Sequence, residues 1–186
     1  MTRALISVEV SATDPAGAND TLTYSYQVFK DGSAAPYATE SGVDLVNFNF
    51  TPNDNGTYVV SLTVTDDDGG SASASTSIIV GNVAPQLQNL AVTSPVNEND
   101  IATFSGSIVD PGTQDTYTLT VDWGDGSPVD TFTYAAGTMS FSEIHRYLDD
   151  GSNPGGGIGT QKYTISATLV DNDGGSSESV PFGPTG

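Results

Sequence analysis

The chain contains one short pattern twice, and this repeat limits the fold more than any other feature of the sequence. "TVTDDDGG" at 63–70 and "TLVDNDGG" at 168–175 both consist of the end of an apolar run, three acidic or amide residues and two glycines. A second pair of matching segments precedes them, "ATDPAGANDTLTYSY" at 12–26 and "IVDPGTQDTYTLTV" at 108–121. Two matching pairs in the same order predict two modules that share one fold.

The segments between turns alternate apolar and polar residues with a period of two, and helical periodicity is absent. In "DTLTYSYQVF" at 20–29, and again in "TYTLTVDW" at 116–123, every second residue is apolar. This alternation is typical of strands with one buried and one solvated face. Short strands separated by Gly, Pro, Asn and Asp predict an all-β protein built from antiparallel β-sandwiches.

The boundary between the modules lies in "VGNVAPQLQNL", where Gly81, Asn82 and Pro85 interrupt the strand pattern. We therefore expect one module at 1–82 and a second at 83–186. The second copy begins with a strand around Leu87 that has no counterpart before Ile6. We expect the first module to lack this opening strand, to be weaker for that reason, and to belong to a fragment of a longer protein.

The composition excludes several functions. The chain has 4 Lys and Arg against 23 Asp and Glu, a formal net charge of −19, so it cannot neutralise the phosphates of a nucleic acid. It has no cysteine for disulfides or thiol chemistry, and no apolar run of membrane-spanning length. We expect the fragment to be monomeric.

Three motifs of the second copy carry a family resemblance. "VDWGDGSP" at 121–128, "IHRY" at 144–147 and "YTISATLVDNDGG" at 163–175 together resemble the PKD (polycystic kidney disease) domain, an immunoglobulin-like β-sandwich. The first copy has "VFKDGS" in place of the first motif and resembles a cadherin-like or PKD-like relative. The resemblance implies a secreted or cell-surface repeat protein of bacterial type, whose modules serve adhesion or rigid spacing and not catalysis.

The resemblance also implies structural roles for conspicuous residues. Trp123 is expected in the core, Asp125 is expected to brace the Gly-Asp-Gly turn, and His145 is expected to brace the sandwich. "DNGTY" at 54–58 looks like a tyrosine corner, in which the Tyr58 hydroxyl bonds nearby backbone, and Tyr163 is expected to do the same. No serine or cysteine nucleophile stands in a catalytic context, so we do not expect an enzyme.

The repeated acidic segments predict calcium sites. Loops at one end of such a sandwich would bring the carboxylates of each copy together, and like charges repel unless a cation neutralises them. Calcium takes six to eight oxygen ligands from carboxylates, amides and carbonyls, whereas transition metals prefer imidazole or thiolate. The predicted ligands in the two copies are Asp14, Asp20, Asp66 and Asp68, and Glu98, Asp110, Asp115, Asp171 and Asp173.

Two other interpretations remain open. Asp, Asn and Gly are common turn residues, so the acidic segments can be solvated turns without an ion. The chain can also be a polysaccharide-binding accessory module of a secreted hydrolase, which would need a row of exposed aromatic rings, and only Tyr37, Tyr134 and Tyr147 are available for it. The Gly-rich insertion at 149–161 is expected to be a surface loop that a partner, either a surface protein or a polysaccharide, can contact.

Overall fold

The computed structural model describes residues 3–15, 20–97, 99–148, 162–177 and 180–182. The chain divides into two compact units, Thr2–Asn82 and Val83–Gly186, called here the first and second modules. The described residues form strands, turns and bends, with no helix among them. The all-β fold expected from the alternating pattern, and the tandem immunoglobulin-like modules that the resemblance implied, are confirmed.

The first module is a sandwich of two antiparallel sheets. Its strands are β1 (Ile6–Glu9), β2 (Thr23–Lys30), β3 (Ala38–Val43), β4 (Asn47–Phe50), β5 (Gly56–Thr65) and β6 (Ser71–Val80). One sheet pairs β1 with β4, and the other has the order β3-β2-β5-β6. The buried apolar side chains between the sheets come from alternate strand positions, as the period of two requires: Tyr24, Tyr26, Val28, Phe48, Phe50, Tyr58 and Val60.

The second module has the same plan with one strand more. Its strands are β7 (Gln86–Val92), β8 (Ile101–Val109), β9 (Tyr117–Asp122), β10 (Asp130–Tyr134), β11 (Ser140–Arg146), β12 (Ile165–Asp171) and β13 (Val180–Phe182). The sheets have the orders β11-β8-β7 and β10-β9-β12-β13. Buried side chains again alternate along the strands, including Phe104, Leu119, Val121, Trp123, Phe141, Ile165 and Leu169.

The additional strand is β7, which pairs with β8 and has no counterpart among the described residues of the first module. This agrees with the missing opening strand inferred from the repeat. Among the described residues, the second core has twelve buried and seven partly buried apolar side chains, whereas the first has seven buried and twelve partly buried. A two-stranded sheet covers less of the facing sheet than a three-stranded one, so the first core is less completely enclosed.

Tyr58 forms the expected tyrosine corner. Its side chain is 0% exposed, and its hydroxyl donates to the carbonyl oxygen of Asp54 at 2.9 Å and contacts Oδ1 of Asn53 at 3.1 Å. Tyr163 occupies the matching place, where its ring stacks on Tyr147 with 4.9 Å between the centroids. The backbone upstream of Tyr163 lies outside the described residues, and so does the Gly-rich insertion at 149–161.

The Asp-Trp-Gly-Asp-Gly turn after β9 is structural, as the resemblance implied. Trp123 is 0% exposed, and its indole N–H donates to Oδ2 of Asp130 at 2.8 Å. Tyr147 donates its hydroxyl to the carbonyl oxygen of Trp123 at 3.1 Å. His145 stacks on the indole at 4.7 Å and bonds Asp125 at 2.8 Å. The only histidine and tryptophan of the chain therefore connect the turn to the facing sheet.

Candidate metal centres

The two Asp-x-Asp-Gly-Gly segments close their turns with the same set of hydrogen bonds. In the first module the Asp66 N–H donates to the Gly70 carbonyl at 3.0 Å, and the Gly70 N–H donates to Oδ1 of Asp66 at 2.7 Å. In the second module Asp171 and Gly175 make the same two bonds at 2.9 and 2.7 Å. The glycine before each closing glycine has a positive φ, which glycine adopts without strain. The repeated pattern is thus first of all a turn, and one oxygen of its leading aspartate holds the backbone.

The middle residue of each segment ties the turn to a neighbouring loop. Oδ1 of Asp67 accepts the Thr21 N–H at 3.1 Å, and Oδ1 of Asn172 accepts the Thr116 N–H at 2.8 Å. Each tie holds the residue before the threonine, an aspartate in both modules, close to the turn. Sequence reasoning missed this role, although the signal was present: both middle residues carry a side-chain oxygen that can accept from a backbone amide.

The tie in the first module brings three carboxylates together. Asp14, Asp20 and Asp66 each offer an oxygen within 4.8 Å of the others, and all three residues are half-buried. Desolvation, a hydrogen bond with Asp14 and the charges of Asp14, Asp67 and Asp66 raise the pKa of Asp20 above its usual value. The group therefore resists carrying its full negative charge when nothing neutralises it.

The tie in the second module forms the equivalent group from Asp110, Asp115 and Asp171, again with oxygens within 4.8 Å of one another. It lies deeper, because Asp115 is 0% and Asp171 5% exposed. Oδ1 of Asp110 accepts the Gly112 N–H at 2.8 Å, and Oδ1 of Asp171 accepts the amides of Asp173 and Gly175. These bonds orient the carboxylates of Asp110 and Asp171 and occupy one oxygen of each.

The remaining predicted ligands are placed differently. Asp68 and Asp173, the third residue of each segment, are exposed. Asp68 belongs to no such group among the described residues, whereas an oxygen of Asp173 lies within 4.8 Å of one of Asp115. Glu98, predicted to join the second group, lies outside the described residues. The structure thus assembles three of the predicted carboxylates in each module, at equivalent places in the two folds.

An all-carboxylate group selects the kind of ion that it can hold. Neither group contains His or Cys, so it suits a hard cation and not a transition metal. Calcium accepts irregular arrangements of carboxylate, carbonyl and water oxygens, whereas magnesium requires a near-octahedral set. The two groups fit calcium, and the deeper second group shields its charges from solvent more than the first.

Other proposed sites find less support in the geometry. Tyr147 is buried, while Tyr37 and Tyr134 are half-buried and donate their hydroxyls to the Thr51 carbonyl and to Glu143. These rings do not form the exposed aromatic row that a polysaccharide surface would use. Within the described ranges, no helical segment has the length and hydropathy needed to span a bilayer.

Comparison with known proteins defines the class. The two-domain fibronectin type III segment of chicken tenascin matches with a TM-score of 0.50 and 13% identity, covering 100% of this chain and 94% of that one. The FN1–FN3 domains of chicken CNTN1 match with a TM-score of 0.40 and 9% identity, covering 96% of this chain and 60% of that one. Among curated proteins none matches significantly. The fold is that of tandem immunoglobulin-like modules.

A family model also matches the first module. Residues 2–80 match the PKD domain, so the resemblance to tandem PKD-like modules is confirmed. The match covers the first module, although the motifs that carry the resemblance lie in the second. Modules of this class are typically non-catalytic and usually extracellular.

Proposed function

We propose that the chain is a non-catalytic, calcium-binding extracellular module that acts in adhesion or as a rigid spacer within a large, secreted or surface-attached repeat protein. The observation that carries the proposal is the group of Asp110, Asp115 and Asp171, whose oxygens lie within 4.8 Å of one another around a fully buried carboxylate. The matching group in the first module repeats the arrangement with greater exposure.

The electrostatic cost of this group supports a bound cation. Two unit charges 4.8 Å apart repel by about 3 kcal/mol at an effective dielectric constant of about 20, and the group contains three such pairs. Their sum is comparable to the whole stability of a small domain, about 5–15 kcal/mol. A divalent cation held between the three carboxylates would offset this repulsion. A bound calcium ion would do so at neutral pH, where carboxyl groups are normally ionised.

A spacing or adhesive role fits the rest of the chain. A module without cysteine has no disulfide to strengthen its core, and a structural ion supplies an equivalent constraint. Sites in extracellular modules commonly bind calcium with dissociation constants of about 10⁻⁴–10⁻³ M, which extracellular calcium can fill. An ion that holds the Asp-x-Asp-Gly-Gly turn to the adjacent loop would make the module resist unfolding.

The decisive experiment is thermal unfolding in chelator, in calcium and in magnesium. Binding to the folded state alone stabilises by about 2.7 kcal/mol at a hundredfold excess over the dissociation constant. For a module of this size that amounts to a rise of about 10 °C or more in melting temperature. We expect calcium to produce the rise and magnesium to produce little of it. Equal melting temperatures in all three conditions would show that the acidic segments are solvated turns without a bound ion.

Single substitutions test which of the two acidic groups binds calcium. Asp115→Asn keeps the side-chain shape but removes the buried charge, and should abolish the calcium-induced rise of the second module. Asp122→Asn removes a charge from an exposed residue at the other end of β9 and should keep the rise. Asp20→Asn is the equivalent test in the first module. A calcium response unchanged by both Asp115→Asn and Asp20→Asn would show that calcium binds elsewhere.

A further inference from the structure

We propose that β6 of the first module pairs edge to edge with β6 of a second copy of the chain, in antiparallel orientation, so that two first modules share one continuous sheet. β6 has ten residues and ends the sheet β3-β2-β5-β6, where it pairs with β5 along its whole length and with no other described strand. Every residue from Ser71 to Ser77 is exposed. This proposal does not depend on calcium binding.

The free edge presents a regular row of main-chain groups. The Asp66 N–H bonds the Gly70 carbonyl at the turn, so the next residue, Ser71, directs its amide and carbonyl away from β5. The register of β5 and β6 continues without a bulge, so this alternation holds to the end of the strand. The outward groups belong to alternate residues: Ser71, Ser73, Ser75, Ser77 and Ile79.

The sequence of β6 carries none of the devices that protect the other described sheet edges. Edge strands avoid pairing through charge, proline, bulges or short length. Among the described strands that end a sheet, β1, β3, β10 and β11 carry charged residues, β4 has four residues, β7 is bulged and β13 contains proline. β6, with the sequence "SASASTSIIV", is long, uncharged and regular.

The second module offers a matched comparison at the same position. In the first module, Ser75 of β6 pairs with Ser61, which lies five residues before Asp66. At the equivalent position of the second module, Pro181 of β13 pairs with Ser166, which lies five residues before Asp171. Proline has no N–H, so Pro181 removes an outward donor at the place where Ser75 presents one. One copy of the repeat thus carries an edge that is blocked, and the other copy carries an edge that is open.

The charge distribution favours a second copy in antiparallel orientation. Small Ser and Ala side chains let another backbone approach closely, and the strand brings no charge into the contact. Parallel pairing would place the turns containing Asp66, Asp67 and Asp68 side by side. Antiparallel pairing places them at opposite ends of a strand about 30 Å long, far beyond the screening length of about 8 Å at physiological salt. This proposal differs from the sequence-based expectation of a monomeric fragment, which stays a prediction.

Sedimentation of the full chain tests the proposal. We expect a monomer–dimer equilibrium that is populated at protein concentrations up to about 1 mM and strengthens with salt, because each copy carries a charge of −19. A monomer at every concentration and salt would overturn it. Assembly beyond dimers would overturn it as well, since one β6 edge per chain closes at two copies.

Substitutions at Ser75 make the test specific. Ser75→Pro reproduces the blocked edge of the second module. Ser75→Lys places a charge on the edge of β6. Because the lysine also lowers the net negative charge of each copy, a weaker dimer cannot be explained by greater overall repulsion. Each should weaken the dimer at least tenfold, whereas Ser75→Thr, which keeps the N–H, should dimerise like wild type. Thermal unfolding checks that each variant is folded, and Ser75→Lys keeps the test valid if proline disturbs β6. Dimerisation of Ser75→Lys equal to that of wild type would refute the contact.

Discussion

Nε2 of His145 lies 2.8 Å from Oδ2 of Asp125, and this contact joins the C-terminal end of β11 to the turn that follows β9 in the opposite sheet. Both side chains are largely buried. The imidazole also stacks on Trp123. One histidine thus connects the two sheets of the second module at the Asp-Trp-Gly-Asp-Gly turn.

Asp125 should make the second module sensitive to acid. Burial alone would raise its pKa, but hydrogen bonds from Ser127 and His145 and the charge of His145 lower the pKa to about 2. A carboxyl whose pKa is depressed in the folded state contributes stability above its unfolded value near 4, and loses that contribution as the pH falls towards the folded value. The ionised group should contribute about 2 kcal/mol above pH 4.

The comparison of wild type with Asp125→Asn isolates this contribution. Trp123, the only tryptophan, reports unfolding of the second module by fluorescence. The difference in unfolding free energy should be largest near neutral pH and should shrink towards zero between pH 4 and pH 2. Glu40→Gln, at an exposed carboxylate on β3, should leave the curve unchanged. A difference that stays constant across this pH range would contradict the depressed pKa.

Two glycines of the same turn should respond differently to alanine. Gly124 and Gly126 have φ values of 77° and 81°, so both substitutions strain the backbone by about 1–2 kcal/mol. A Cβ at Gly126 would meet open space, whereas at Gly124 it would lie 2.3 Å from the carbonyl oxygen of Thr164. Gly124→Ala must therefore displace the backbone before β12 as well.

Urea unfolding followed by Trp123 fluorescence measures both variants. We expect Gly126→Ala to lower the unfolding free energy by about 1–2 kcal/mol, from the strained φ alone. Gly124→Ala should cost more than twice as much, and it serves as the matched comparison because the two residues have nearly the same φ. Equal losses of unfolding free energy in the two variants would mean that the backbone near Thr164 can move aside at no cost in free energy.

The sequence predicted features that depend on neighbours along the chain. Strand alternation, the tyrosine corner at Tyr58 and the turn around Trp123 are local patterns, and the structure forms each of them where the sequence predicts it. The composition of the acidic groups was only partly predictable. Asp66 and Asp68 look equivalent in the sequence, but the turn directs Asp66 into the acidic group and leaves Asp68 exposed. The burial of Asp115 depends on a bond between loops, Thr116 to Asn172, that no local pattern reveals.

The tyrosine corner should be among the strongest single contacts of the first module. The Tyr58 hydroxyl has two partners, the Asp54 carbonyl and the Asn53 side chain, whereas Tyr26 donates only to the Leu45 carbonyl at 2.9 Å. Both rings are 0% exposed, so Phe at either site removes a hydroxyl without opening a large cavity.

Calorimetry of the full chain can compare Tyr58→Phe with Tyr26→Phe. The loss of a buried hydrogen bond that leaves its partner unsatisfied costs about 1–3 kcal/mol, and a typical net bond contributes about 0.5–1.5 kcal/mol. We expect Tyr58→Phe to lie in the higher range and Tyr26→Phe in the lower, with the transition of the second module unchanged in both. If Tyr26→Phe proves the more damaging, the contact to Leu45, and not the corner, holds the less enclosed of the two sandwiches together.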